Sequence, residues 1–286
     1  MRLEDQRESD NVEDRRGMRI GGPGIALGGG GILLVVVLAL LTGQDPIQLL
    51  SAISGGPSAS VDSGSSGQAG APTDTLGKFA ATVLGSTEDV WTRVLPSAGQ
   101  RYVPPTLVLF SGEVDSGCGF NSAAVGPFYC PLDSKVYLDL SFFDELEQRF
   151  GAPGDFAQAY VIAHEVGHHV QNLLGVAAQV ETARRHLSPQ DASALSVRVE
   201  LQADCLAGVW ANHANQDTKL LEPGDVEEGL RAAAAIGDDR IQKRAQGYTV
   251  PETWTHGSSA MRVRWLQRGL QSGNIADCDT FKADSL

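Results

Sequence analysis

Residues His164-Glu165-Val166-Gly167-His168 carry the chemistry that stands out most in the chain. On a helix, His164 and His168 lie one turn apart on the same face, so both imidazoles reach one ion. Glu165 projects beside them, where its carboxylate meets a water on the metal rather than the metal itself. Two neutral nitrogen ligands, an open coordination position and an adjacent base are what metal-assisted hydrolysis requires. The competing reading is a helix with a solvated glutamate and two surface histidines. Against it, three of the six histidines in the chain (His164, His168 and His169) crowd into about one and a half turns. His169 points about 100° away from its neighbour on a helix, so it is expected beside the site or at the surface rather than on the ion.

A catalytic zinc site needs a third protein ligand. Downstream, Glu200-Leu201-Gln202-Ala203-Asp204 lies in an apolar helical run with Val197, Val199 and Leu206. Glu200 and Asp204 are four apart and share a face. Two acids on such a helix are costly to bury unless a cation faces them. One zinc ion bound by His164, His168 and Glu200 meets that need, with Asp204 accepting the free N–H of a ligating histidine. A solvated acidic stripe is the bland alternative, and the upstream motif weighs against it.

The elements that must hold these residues follow from periodicity. Helices are expected over Leu76–Val94, Phe142–Phe150, Ala157–Leu174, Ser196–Ala214, Val226–Ile236 and Ser258–Leu270. Gly175 is a typical stop for the helix that carries the histidines. Thr106–Phe110 and Val136–Leu140 read as short strands. Strands first and helices after suggest an α+β domain, mainly helical with a small sheet.

Composition narrows the function classes. The net charge of −13 disfavours nucleic acid, whose phosphates need a basic face. From Ile20 to Gly43 there is no charged residue, and Ile32–Leu41 is wholly apolar, enough to span a hydrocarbon core. A cleaved signal peptide competes with a transmembrane helix there, but its apolar region is usually shorter. Arg15, Arg16 and Arg19 precede the stretch, and no Lys or Arg lies between Gly43 and Lys78. The positive-inside rule then puts the N-terminus in the cytoplasm and the remainder outside the membrane. Pro46 to Thr75 is rich in Ser, Gly, Ala and Pro and reads as a tether. The expected organisation is a cytoplasmic segment over 1–19, an anchor over 20–43, a linker over 44–75 and a catalytic domain over 76–286. The even cysteine count fits an exported domain with two disulfides. Of three possible pairings, proximity favours Cys118–Cys130, which leaves Cys205–Cys278.

The combination of His164-Glu-Val-Gly-His168 with Glu200-Leu-Gln-Ala-Asp204 resembles the gluzincin pattern, in which a glutamate on a second helix is the third zinc ligand. More closely, the chain resembles a bacterial family of membrane-anchored neutral zinc metallopeptidases. The matching stretches are Asn11–Gly17, Gly117–Gly119, Gly126–Pro131, Val136–Asp139, the two metal-site helices and Thr255–Ser258. The resemblance implies a zincin-like domain, one Zn2+, a peptide or protein substrate and no organic cofactor. It also gives His256 and Arg262 a reading as stabilisers of the substrate oxyanion. Taken alone, the same residues read as a helix start capped by Ser258, with Arg262 and Arg264 on the outer face. Gly126 to Tyr137 is a further candidate for substrate contact, as an edge strand stapled by Cys118–Cys130 or simply as a stabilised loop.

The expected activity is peptide hydrolysis outside the cytoplasmic membrane with Glu165 as general base. Two rivals share the ligands: a catalytically silent zinc-binding protein tethered to the membrane, and an amidase acting on cell-wall peptides.

Overall fold

The computed structural model describes residues 1–17 and 70–286. Most of the mass is helical. Helix α1 (Thr75–Val94) starts at Asp74, whose carboxylate accepts the Gly77 N–H. A sheet follows, with β2 (Thr106–Phe110), the hairpin β3 (Glu113–Ser116) and β4 (Gly119–Ser122), then β5 (Phe128–Cys130) and β6 (Lys135–Asp139). Helices α2 (Ser141–Gln148), α3 (Asp155–Leu173), α4 (Val176–Arg184) and α5 (Pro189–Thr218) come next. The chain ends with α6 (Asp225–Ala235), α7 (Asp238–Gln246) and α8 (Ser259–Ser272). This is the α+β class expected.

The first strand, β1 (Val12–Asp14), lies outside that run of elements in sequence. The main sheet has the order β1-β2-β6-β5, with β1 and β6 parallel to β2 and β5 antiparallel to β6. Parallel strands are covered on both faces, so β2 is apolar and buried from Leu107 to Phe110. Leu107 and Leu109 join Val136 and Leu138 in the helical core. Val108 and Phe110, on the opposite face, pack with Tyr137, Val114 and Cys130.

Residues 1–17, expected to stand apart from the catalytic domain, are instead built into it. Val12 and Asp14 pair with Leu107 and Leu109. The Glu88 carboxylate on α1 is buried, and it accepts from Arg7, Ser9 and Asn11 at 2.7, 2.6 and 2.8 Å. A buried carboxylate must be compensated, and here the N-terminal segment supplies the compensation. Gly85 makes room for it, because a Cβ there would lie 2.6 Å from the Arg7 carbonyl oxygen. The sequence does not show this packing, because the partners of its charges, such as Lys135 for Glu13, are distant in the chain. The linker expected over 44–75 also ends early, since Gly70 accepts the Asp14 N–H and α1 begins at Thr75. The anchor expected over 20–43 and the remainder of that linker lie outside the described residues. Among the described residues no helix is long and apolar enough to cross a membrane.

Both expected disulfides are present, Cys118–Cys130 and Cys205–Cys278.

Candidate metal centre

Helix α3 is buried around most of its circumference, from Phe156 to Gln171. It crosses α5 where Gly167 faces Ala203. A Cβ at Gly167 would lie 2.9 Å from the Ala203 carbonyl oxygen, so only glycine permits this approach. The crossing brings Glu200, one turn before Ala203, against the two histidines. The ligand atoms of His164, His168 and Glu200 lie within 4.8 Å of one another. His164 Nε2 is 3.2 Å from Glu200 Oε2, and His168 Nε2 is 3.5 Å from Oε1.

The outer nitrogens have separate partners. His164 Nδ1 is 2.9 Å from Asp204 Oδ1, and His168 Nδ1 is 2.8 Å from Gln171 Oε1. With both Nδ1 atoms engaged by these partners, both Nε2 atoms face the Glu200 carboxylate, an arrangement that a proton or a metal cation between them satisfies. Burial alone would lower the His164 pKa, but Asp204 and Glu200 raise it to about 10. His168 is raised as well, against its own burial, by Glu200. Burial raises Glu200, and the two histidines more than offset this, holding it well below the usual carboxylate range. Two imidazoles and one carboxylate are a zinc donor set, so the residues fit that ion.

Asp204 is fully buried on α5, as its neighbours in the sequence suggested. It accepts from the Tyr160 hydroxyl and His164 Nδ1, and from Arg262 through Nε at 2.8 Å and Nη2 at 2.9 Å. Burial pushes its pKa up, and the Arg262 and His164 charges bring it down to about 2. The outer-face reading of Arg262 is therefore corrected. It is 2% exposed and lies behind the Asp204–His164 pair, with Nη2 also donating to Tyr160. Two of its N–H groups support Asp204, and the side chain also lines the cleft that holds His164, His168 and Glu165.

His256 is placed as expected, in the lining of the same cleft as Glu165, His164 and His168. Its side chain is half exposed, and Nδ1 is 3.3 Å from Asp238 Oδ1. Asp238 Oδ2 accepts the N–H groups of Thr255, His256 and Gly257 at 2.8, 2.7 and 2.9 Å, which fixes the loop before α8. The hydrogen bond to Asp238 raises the His256 pKa, against the effect of its burial. Tyr160, Gln171 and Asp238 were not singled out in the sequence. Gln171 had a legible signal, lying three residues after a ligand histidine on one helix face. Asp238 had none, since an acid in the first turn of a helix is common for reasons of its own.

His169 is buried rather than superficial. Its Nε2 faces the Val103 carbonyl at 2.7 Å, so Nδ1 accepts from the Tyr129 hydroxyl at 3.0 Å. Asn172 donates to the same hydroxyl. Helix α3 thereby holds β5, the edge strand that lines the cleft, and Cys118–Cys130 pins its far end. The cleft encloses about 1250 Å³, above the roughly 300–1,000 Å³ typical of small-molecule pockets.

A helix pair presenting two histidines and a glutamate, with Glu165 in the lining of the same cleft, has the donor set found in zinc hydrolases. The family model described as putative neutral zinc metallopeptidase matches residues 1–281, and the chain belongs to that family. The uncharacterized protein YpfJ of Escherichia coli K12 is 47% identical over 98% of this chain and 99% of its own length. The uncharacterized protein Rv2575 of Mycobacterium tuberculosis H37Rv is 49% identical over 70% of this chain and 69% of its own. No solved structure matches the chain. The family match begins at residue 1, in keeping with an N-terminal segment that is part of the folded body.

Proposed function

We propose that this protein is a zinc-dependent peptidase in which His164, His168 and Glu200 hold one ion and Glu165 is the general base. The observation that carries the reading is the convergence of two Nε2 atoms on the Glu200 carboxylate in a cleft that Glu165 also lines. Zinc bound there supplies a Lewis acid and a water of lowered pKa. Glu165 takes the proton of the attacking water at its carboxylate and gives it to the leaving amine nitrogen. Protonated His256, with Nδ1–H given to Asp238, offers Nε2–H to the substrate carbonyl oxygen. The free edge of β5 offers main-chain groups to an extended peptide, and the cleft is large enough for one.

The two disulfides favour an oxidising compartment, outside the cytoplasmic membrane. Residues 1–17 share a sheet with the catalytic domain, so our reading places both together on that side.

The Glu165→Gln variant tests the mechanism. We expect it to keep its zinc by elemental analysis and to lose hydrolysis of an unstructured protein, with the wild type inhibited by chelator. Turnover by the variant would remove Glu165 as base. Hydrolysis of purified cell wall, with unstructured protein left intact, would favour the amidase. A wild type inert on both would favour the silent zinc-binding protein.

A further inference from the structure

We infer that Gln171 and Gln202 are positioning residues that fix which nitrogen His168 offers to the metal. The inference rests on the zinc-site reading above.

The direction of each hydrogen bond follows from one end. The Cys278 carbonyl oxygen can only accept, and it lies 3.0 Å from Gln202 Nε2. That turns Gln202 Oε1 toward Gln171, whose Nε2 donates to it at 3.0 Å and to the Val199 carbonyl at 2.8 Å. Both hydrogens of the Gln171 amide are then committed to acceptors, and its Oε1 is left facing His168 Nδ1 at 2.8 Å. An amide oxygen accepts and cannot donate, so Nδ1 must carry the proton and Nε2 the lone pair. Turning the Gln171 amide over would set its oxygen against two acceptors and its NH2 against the ring nitrogen. Gln171 and Gln202 are 2% and 9% exposed, so water does not stand in for a lost partner.

The two ligand histidines are thus oriented by different chemistry. His164 leans on the Asp204 carboxylate, while His168 leans on a neutral amide. The neutral partner orients His168 without adding a further negative charge to a site that already holds Glu165, Glu200 and Asp204. The relay also has a covalent end, since Cys278 is bonded to Cys205, three residues after Gln202 on α5. The C-terminal segment therefore reaches the metal centre through two side-chain amides.

The experiment uses the full-length protein and the variants Gln171→Leu, Gln171→Glu and Gln202→Leu. Zinc affinity is measured by chelator competition, and the histidine ring nitrogens are read by long-range proton–nitrogen NMR. We expect Gln171→Leu to bind zinc about 10–100-fold more weakly. Its His168 ring should lose the protected Nδ1–H while the His164 signals stay in place. Gln171→Glu, which restores an acceptor, should recover part of the affinity, and Gln202→Leu should show a smaller loss in the same direction. General loosening of the fold would shift both histidines and would not be rescued by Glu, and that pattern overturns the inference. So does an unchanged zinc affinity in Gln171→Leu, or a wild-type His168 that lacks the Nδ1 proton. If the wild type takes up no zinc, the metal reading fails on its own, and the His168 tautomer is still read on the metal-free protein.

Discussion

Asp204 has two oxygens and four donors, and it is closed off from solvent. Arg262 is its permanent positive charge, held by two hydrogen bonds in the buried interior. Replacing Arg262 with Met leaves a carboxylate buried and undercompensated. Such a change costs about 3–5 kcal/mol, and thermal unfolding followed by circular dichroism should show the loss even in zinc-free protein. An oxyanion donor would instead lower turnover and leave stability nearly untouched. His256 makes the opposite case, with an exposed side chain and a partner that tunes it. Its pKa is raised by Asp238, so the protonated, donating form persists above the ordinary histidine range and is lost as pH rises through the raised value. If His256 donates to the substrate, the alkaline limb of kcat/KM reflects that loss. In Asp238→Asn the limb should move to lower pH, while the acid limb stays. An alkaline limb that does not move would separate His256 from the reaction. The histidine pair and Glu200 were legible in the sequence because i, i+4 spacing fixes a shared face. Arg262 was misplaced because spacing says nothing about depth, and Lys or Arg near a helix start is usually solvated.

At the scale of elements, the apolar stripes of α1, α3, α6 and α8 and strands β2 and β6 gave their positions to within about two residues. What periodicity could not show were the pieces without a stripe. Strand β1 has three residues, and the hairpin β3–β4 is mostly polar and exposed. Helices α4 and α7 bury almost nothing. The start of α5 also lay seven residues earlier than the apolar pattern, at Ser188-Pro189, where the serine hydroxyl accepts the Asp191 N–H and proline takes the first helical position. The α3–α5 crossing depends on Gly167, and its consequence is local to those two helices. Gly167→Ala must push the Ala203 backbone away, which costs about 1–3 kcal/mol in stability. Because Glu200 rides on the displaced helix, zinc affinity should fall together with the melting temperature. A drop in stability with unchanged zinc binding would mean that the crossing does not set the ligand spacing.

For the molecule as a whole, the position of residues 1–17 matters most. Strand β1 pairs with β2, and the buried Glu88 depends on Arg7, Ser9 and Asn11. On the proposed reading, a segment with those contacts shares a compartment with the domain it completes. The sequence pointed the other way, because an uncharged stretch after three arginines reads as a single crossing. Single-cysteine variants at Asp5 and Ser272, both exposed, give the measurement. In intact cells a membrane-impermeant maleimide should label both or neither. Labelling of one alone would put the two on opposite sides and exclude the assembled sheet in the cell.

The parallel pairing of Val12 with Leu107 carries a consequence for biosynthesis. The chain is made from its N-terminus, so β1 emerges first, yet its partner emerges only after the whole of α1 and everything between has been synthesised. Arg7 can reach Glu88 and Asp89 once α1 is made, but until Leu107 follows, β1 has no strand to lie against. The domain cannot be finished in the order in which it is made, and whatever receives the nascent chain must keep its first strand unpaired for about a hundred residues of elongation, a matter of roughly 5–20 seconds at bacterial rates.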